Sequence, residues 1–267
     1  MKLKSVLTIA GFDPIGGAGE AADVKTITMH NLYAMSVLTL VSVQNTKKFS
    51  EVVNMDSKLI EKQLEAIFSD IIPDSTKIGM ILQKEQIITV ANYLKSLNAK
   101  NIVLDPVMVT SEGEKLLDNN AFYALTKYLF PISDIITPNS LEGEILSEIK
   151  ITNKENMKRA IEKIYKKYKV KVLLKSPKNS TESDDLFFDG HEFVWINSKK
   201  IKNKNTRGTG DSFSSAIACN LAKGNDMLTS IRKAKKFVTN ALDKNLDMGH
   251  GKGAIDHMYL LNKKGET

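Results

Sequence analysis

An apolar run, Ser5-Val6-Leu7-Thr8-Ile9-Ala10, leads directly into a glycine loop spanning Gly11 to Gly19. A segment of helical composition, Glu20 to Met29, comes next, and then a second apolar run from Tyr33 to Val43. Two strands joined through a helix are brought side by side in parallel, and a parallel sheet needs helices over both faces. This one unit therefore predicts an open, mostly parallel α/β sheet with binding groups collected at the carboxyl ends of its strands.

The glycines of the first loop do not by themselves name a ligand. Gly17-x-Gly19-x-x-Ala22 meets only the relaxed dinucleotide fingerprint, and the second strand runs into Gln44 where that fingerprint expects an acid. No G-x-x-x-x-G-K-[ST] stretch occurs in the chain.

The alternation continues to the C-terminus. Ser57 to Ser69 and Gln83 to Leu97 have helical spacing, and Lys77-Ile78-Gly79-Met80 reads as a strand end. The stretch Asn101 to Val109 places an acid, Asp105, directly after an apolar strand, and Pro106 disfavours helix at Asp105. Asp134-Ile135-Ile136 ends in the turn Thr137-Pro138-Asn139, with Glu142 in the first turn of the next element. Val170 to Lys175 is a further strand, and Asp185 to Ile196 has the turn and flanks of a β-hairpin. Near the end, Asn205-Thr206-Arg207-Gly208-Thr209-Gly210-Asp211 opens into the small and apolar spacing of a packed helix. Without a repeat, linker or low-complexity segment, one domain over residues 1–267 is the simplest organisation.

Composition excludes several classes. The longest apolar runs are too short to cross a bilayer, and Met1-Lys2-Leu3-Lys4 lacks the apolar region of a secretion signal, which points to the cytoplasm. The net charge of +7 arises from lysines spread along helical stretches such as Lys166-Lys167-Tyr168-Lys169. That is the pattern of a solvated face, and no nucleic-acid motif accompanies it. The single cysteine, Cys219, sits among alanines and leucines as a buried small hydrophobe, and the four histidines show no metal-ligand spacing.

Polar residues recur where strands end: Asp105, Asn139, Glu142, Lys175, and Asp211 in the last glycine loop. A lone acid or lysine there is ordinarily just solvated, and Asp211 alone is an ordinary helix-start residue. Gathered in one crevice they acquire a shared chemistry. Two acids and an amide suit hydrated magnesium, a lysine suits phosphate, and a glycine loop at a helix N-terminus suits a transferring phosphoryl group.

The ordered motifs Gly11-x-Asp13-Pro14-x-Gly16-Gly17-Ala18-Gly19, Ala22-Asp23-x-Lys25-Thr26, Gln44-Asn45-Thr46, Lys77-Ile78-Gly79-Met80, Asp105-Pro106-Val107-Met108-Val109, Thr137-Pro138-Asn139-x-x-Glu142 and Thr206-x-Gly208-Thr209-Gly210 cover nearly the whole chain. Together they resemble the hydroxymethylpyrimidine and phosphomethylpyrimidine kinases of thiamin biosynthesis, within the ribokinase-like superfamily. The resemblance implies a three-layer α/β/α sandwich, ATP and Mg2+ as cofactors, a small pyrimidine alcohol or its monophosphate as acceptor, and a homodimer. It leaves a monovalent cation requirement open.

By position, the resemblance makes Asp211 the catalytic base, and Gly208, Thr209 and Gly210 the anion hole. Lys175, Asn139, Glu142 and Thr206 fall on the nucleotide side, with Asp105 and Glu142 in the metal environment. Gly11, Asp23, Gln44, Met80 and Val107 fall on the pyrimidine side.

The departures lie in the loops. Asp211 stands where the pyrimidine kinases usually have cysteine, and Arg207 where they usually have histidine. Phe12 and Ile15 replace serines, Glu20-Ala21 replaces an apolar-glutamine pair, and Ser176-Pro177-Lys178 replaces Gly-Gly-His. Arg207 therefore either adds a phosphate contact or faces solvent. Asp211 keeps a pyridoxal or pyridoxine kinase in play as the alternative enzyme. A non-catalytic sensor of a vitamin precursor is the alternative outside enzymes, and such a protein has no chemical need for Lys175, Asp105, Glu142 and Asp211 together.

Overall fold

The computed structural model describes residues 3–110, 113–177, 180–246 and 248–262. Among these residues nine strands form one sheet in the order β3-β2-β1-β4-β5-β6-β7-β8-β9. They are β1 (Ser5–Phe12), β2 (Tyr33–Gln44), β3 (Phe49–Asn54), β4 (Ser75–Ile78), β5 (Ile102–Leu104), β6 (Ile135–Ile136), β7 (Lys171–Leu174), β8 (Asp185–Phe188) and β9 (Phe193–Ile196). The six strands from β2 through β7 in the sheet pair in parallel, and the flanking β3, β8 and β9 are antiparallel. The parallel sheet and the β8–β9 hairpin are as the sequence patterns predict. The strand before Asp105 is β5, regular over three residues. The edge strand β3 was not foreseen, being largely exposed and without two-residue alternation.

The helices are α1 (Gly19–Met29), α2 (Ser57–Phe68), α3 (Lys84–Ser96), α4 (Asn119–Ala124), α5 (Ser140–Ser147), α6 (Lys154–Tyr168), α7 (Thr209–Ala222), α8 (Met227–Asp243) and α9 (Tyr259–Asn262). Strand residues alternate between two apolar layers as their period of two dictates. Leu7, Ile9, Leu104, Ile136, Val172 and Leu174 enter one core with residues of α2, α3 and α6, whereas Val6, Val103, Ile135 and Leu173 enter a second core with α7 and α8. The sheet is thus sandwiched between two helical layers.

Chain direction reverses around β1. The crossover through α1 carries the chain to β2 on one side, and α2 returns it to β4 on the other. A crevice opens at such a switch point, beyond the carboxyl ends of the strands. Backbone bonds keep those ends in step: Gly79 N–H donates to Ile9 O at 2.9 Å, Asp105 N–H to Ile78 O at 2.9 Å, Thr137 N–H to Leu104 O at 3.0 Å and Lys175 N–H to Pro138 O at 2.9 Å. The residues that come after β1, β4, β5, β6 and β7 are therefore laid side by side along one edge.

Candidate active site

The ladder puts Asp105 and Lys175 next to one another, and Lys175 Nζ donates to Asp105 Oδ1 at 3.0 Å. Thr137 Oγ1 donates to the same oxygen at 3.0 Å. Burial opposes the charge on Lys175, but Asp105, Glu142 and Asp211 together outweigh it and hold the ammonium above its ordinary range.

Asn139 and Glu142 build the start of α5 as a reciprocal capping box. Asn139 Oδ1 accepts from Glu142 N at 3.0 Å, and Glu142 Oε2 accepts from Asn139 N at 2.8 Å. Met108 N donates to Glu142 Oε1 at 3.3 Å. Burial pushes the Glu142 carboxyl up to about 8, against the pull of Lys175.

The second glycine loop closes over this edge. Gly208 has φ +75°, and a Cβ there would lie 2.0 Å from Gly17 O, so the two glycine loops touch through their backbones. A Cβ on Gly210 would stand 3.2 Å from Asp105 Oδ2 and 3.3 Å from Lys175 Nζ. The first turn of α7 therefore rests directly against the strand-end pair. Thr209 N–H donates to Thr206 O at 3.3 Å, and its hydroxyl to the same carbonyl at 2.7 Å. Thr206 is exposed and does not line the adjoining cavity; it shapes the loop through its carbonyl.

Asp211 occupies that first turn, with its side chain 19% exposed. Burial raises its carboxyl, yet Lys77, the backbone of Gly19 and Lys175 prevail and hold it below the usual carboxylate range. The result is an ionised acid among the residues lining a cavity of about 810 Å³, with Asp105, Val107, Asn139, Glu142, Lys175 and Gly210. That size suits a nucleotide-scale ligand.

Behind Asp211 lies a charge network that sequence reading missed. Thr8 and Lys77 are paired across β1 and β4, so their side chains leave the sheet on the same face. Lys77, fully buried, donates to Asp23 Oδ2 at 2.7 Å and to Asp211 Oδ1 at 3.2 Å. Thr8 Oγ1 and Ser215 Oγ each donate to Asp23 at 2.6 Å. Gly79 leaves room for the ammonium, since a Cβ there would lie 2.7 Å from Lys77 Nζ. Burial disfavours the charge on Lys77, but Asp23, Asp211 and Asp105 raise its pKa and keep it protonated. Burial pushes Asp23 up to about 7 despite Lys77. Asp23, expected beside the pyrimidine, is walled off at 0% exposure and pairs with Lys77. A charged residue within the fully buried strand Ser75–Ile78 was the available signal, because such a lysine demands a partner.

Of the residues expected beside the acceptor, Gly11 is the penultimate residue of β1, Gln44 ends β2, and Met80 comes two residues after β4. Leu40 packs against Gly11 so closely that a Cβ would approach it to 2.5 Å, and Met80 O accepts from Thr39 Oγ1 at 2.7 Å. Of the residues expected on the pyrimidine side, Val107 lines the large cavity, and Gly11, Asp23, Gln44 and Met80 are not among its lining residues. Arg207 does not stand free in solvent: its Nε donates to Asp13 Oδ2 at 3.1 Å and its terminal nitrogen to Gln44 Oε1. Of the departing triplet, Lys178 lies outside the described residues.

Cys219 is buried in the second core, which pushes its thiol up, as expected of a packing residue. No described helix is long and apolar enough to cross a membrane.

A mostly parallel sheet between helical layers, with a glycine-led helix start against an acid-lysine pair, defines a ribokinase-like phosphotransferase. The structure of a Bacillus subtilis pyridoxal kinase with ADP superposes with a TM-score of 0.90 at 30% identity, covering 98% of this chain and 100% of that one. A phosphomethylpyrimidine kinase from Clostridium difficile 630 gives 0.80 at 38%, covering 89% and 99%. The family model described as phosphomethylpyrimidine kinase matches residues 13–256, and the chain belongs to that family. A Staphylococcus aureus (strain MRSA252) hydroxymethylpyrimidine/phosphomethylpyrimidine kinase is 33% identical over 99% of this chain and 97% of its own. The thiamine biosynthesis bifunctional protein ThiED of Geobacter sulfurreducens is 39% identical over 95% of this chain, which spans 52% of that longer protein.

Proposed function

We propose that this kinase transfers the γ-phosphoryl group of ATP to the hydroxymethyl oxygen of 4-amino-5-hydroxymethyl-2-methylpyrimidine, and then to the phosphate of the resulting monophosphate. The family match and the name of the S. aureus relative support the acceptor. The chemistry rests on one observation: Gly210 lies against both Asp105 and Lys175 while Asp211, one residue on, is held ionised.

In this reading Asp211 takes the proton from the attacking hydroxyl as the oxygen bonds to phosphorus and ADP departs. Apart from Thr209 N–H, which donates to Thr206 O, the N–H groups at the α7 start are the ones a helix leaves without an intrahelical partner, and they receive the charge on the transferring group. Lys175 neutralises phosphate charge on the donor side. Asp105 and Glu142 both line the large cavity and offer hard oxygen, the donor type magnesium takes. Asp105 and Glu142 would hold it, and the chemistry it would supply is neutralisation of phosphate charge.

A second reading, pyridoxal kinase, is favoured by the 0.90 TM-score to the B. subtilis enzyme. A coupled ADP-release assay with the pyrimidine, its monophosphate, pyridoxal and pyridoxine separates the two. Preference for the pyrimidine supports the first reading and preference for pyridoxal overturns it. Binding of any of these without turnover would make the protein a sensor. We further propose a cytoplasmic homodimer; sedimentation at micromolar concentration tests the assembly, and the same assay with and without potassium tests a monovalent cation requirement.

A further inference from the structure

Arg207 is held on every side. Its N–H donates to Gly253 O at 3.1 Å, and its carbonyl accepts from Ile255 N at 3.4 Å. Its stem packs on the first glycine loop, where a Cβ on Gly17 would lie 3.1 Å from Arg207 Cδ. Its Nε engages Asp13, which is 1% exposed and also accepts from the amides of Ile15, Gly17 and Ala18 at 3.2, 3.1 and 2.9 Å. Of its two terminal nitrogens, one is directed at the side chain of Gln44, whose Oε1 accepts from it.

A guanidinium can only donate, so it determines which end of the Gln44 carboxamide faces it. The carbonyl turns to Arg207, and the NH2 group is the end left for a ligand. We propose that Arg207 is a specificity-determining positioning residue: it fixes Gln44 as a hydrogen-bond donor toward the acceptor, so the site selects heterocycles carrying a lone pair at that edge. A residue able both to donate and to accept at position 207 would let the amide turn over and read either edge. Arginine removes that freedom. This inference rests on reading Gln44 as acceptor-facing.

A site built to bond a ring nitrogen rejects the analogue with carbon in its place, because a buried donor is then left unpaired. The test measures kcat/KM with saturating Mg-ATP for the pyrimidine and for two analogues in which each ring nitrogen in turn is replaced by C–H. The wild-type chain should prefer the pyrimidine over one analogue by about 10- to 100-fold. Arg207→Met should bring that ratio to within about 3-fold through the acceptor KM, leaving the ATP KM unchanged, and Arg207→Lys, still a donor-only cation, should retain more of it. In a Gln44→Ala background Arg207→Met should add nothing further. Circular dichroism identifies variants that fold, and if Arg207→Met does not, Arg207→Gln, which both donates and accepts, takes its place with the same expected loss.

Undiminished discrimination in Arg207→Met, additive losses in the double variant, or a defect confined to the ATP KM would overturn the proposal. Failure of the wild-type chain to phosphorylate the pyrimidine overturns the acceptor reading instead. The same cycle is then run with pyridoxal and its ring-carbon analogue.

Discussion

Lys77 Nζ lies 3.2 Å from Asp211 Oδ1, joining a fully buried cation to a carboxylate that lines the cavity. On the other side of Lys77, Asp23 at 2.7 Å completes a chain of charge from the α1–α7 packing to the site. The arrangement ties an element of the core to the ionisation of the proposed base.

Replacing Lys77 by Met should therefore do two things. Removing one partner of a buried pair costs about 3–5 kcal/mol, read as a lower urea midpoint, and Asp23→Asn in the same chain should recover part of it. The acid limb of kcat should also move to higher pH, since burial, which raises the Asp211 carboxyl, loses its strongest opponent. A pH–rate profile with an unmoved acid limb would separate Lys77 from the base.

Two glycines in left-handed conformation should respond differently to alanine. Gly208 and Gly224 have φ +75° and +83°, but only at Gly208 would the new Cβ meet backbone, 2.0 Å from Gly17 O, whereas at Gly224 nothing lies within 4 Å. Gly224→Ala should cost about 1 kcal/mol of strain. Gly208→Ala should force the two glycine loops apart and abolish turnover, with thermal melting and ADP release as the paired readouts.

His257 gives a pH signature to the last segment. Its Nε2 pairs with Ser212 Oγ at 2.9 Å, and burial, aided by Lys25, lowers it from 6.5 to about 4. The unfolded chain thus takes up a proton at a higher pH than the folded one, and this contribution to stability is complete above pH 6.5 and lost as pH falls toward 4. The loss should be about 3 kcal/mol, visible as the difference between wild-type and His257→Gln urea curves across that window. Parallel curves for the two proteins would show that His257 takes up its proton equally in the folded and unfolded chains.

The strand-end acids and the lysine were legible because each comes directly after an apolar run, and the fold converts that local pattern into adjacency. Asp105 and Lys175 could be paired once a parallel sheet was inferred. The Asp23–Lys77–Ser215 network could not, because Ser215 bonds Asp23 from 192 residues away and only the packing of α7 on α1 reveals it. Arg207 and Asp13, 194 residues apart, were unreadable for the same reason. Strand β3 escaped because an exposed edge strand needs no apolar alternation.

The base itself is tested most directly by Asp211→Asn, which keeps the shape of the helix start and removes the proton acceptor. With the pyrimidine as acceptor, kcat should fall about 10²- to 10⁴-fold while the ATP KM stays within about twofold of wild type. Near wild-type turnover in the folded variant would contradict the account and place the proton acceptor elsewhere.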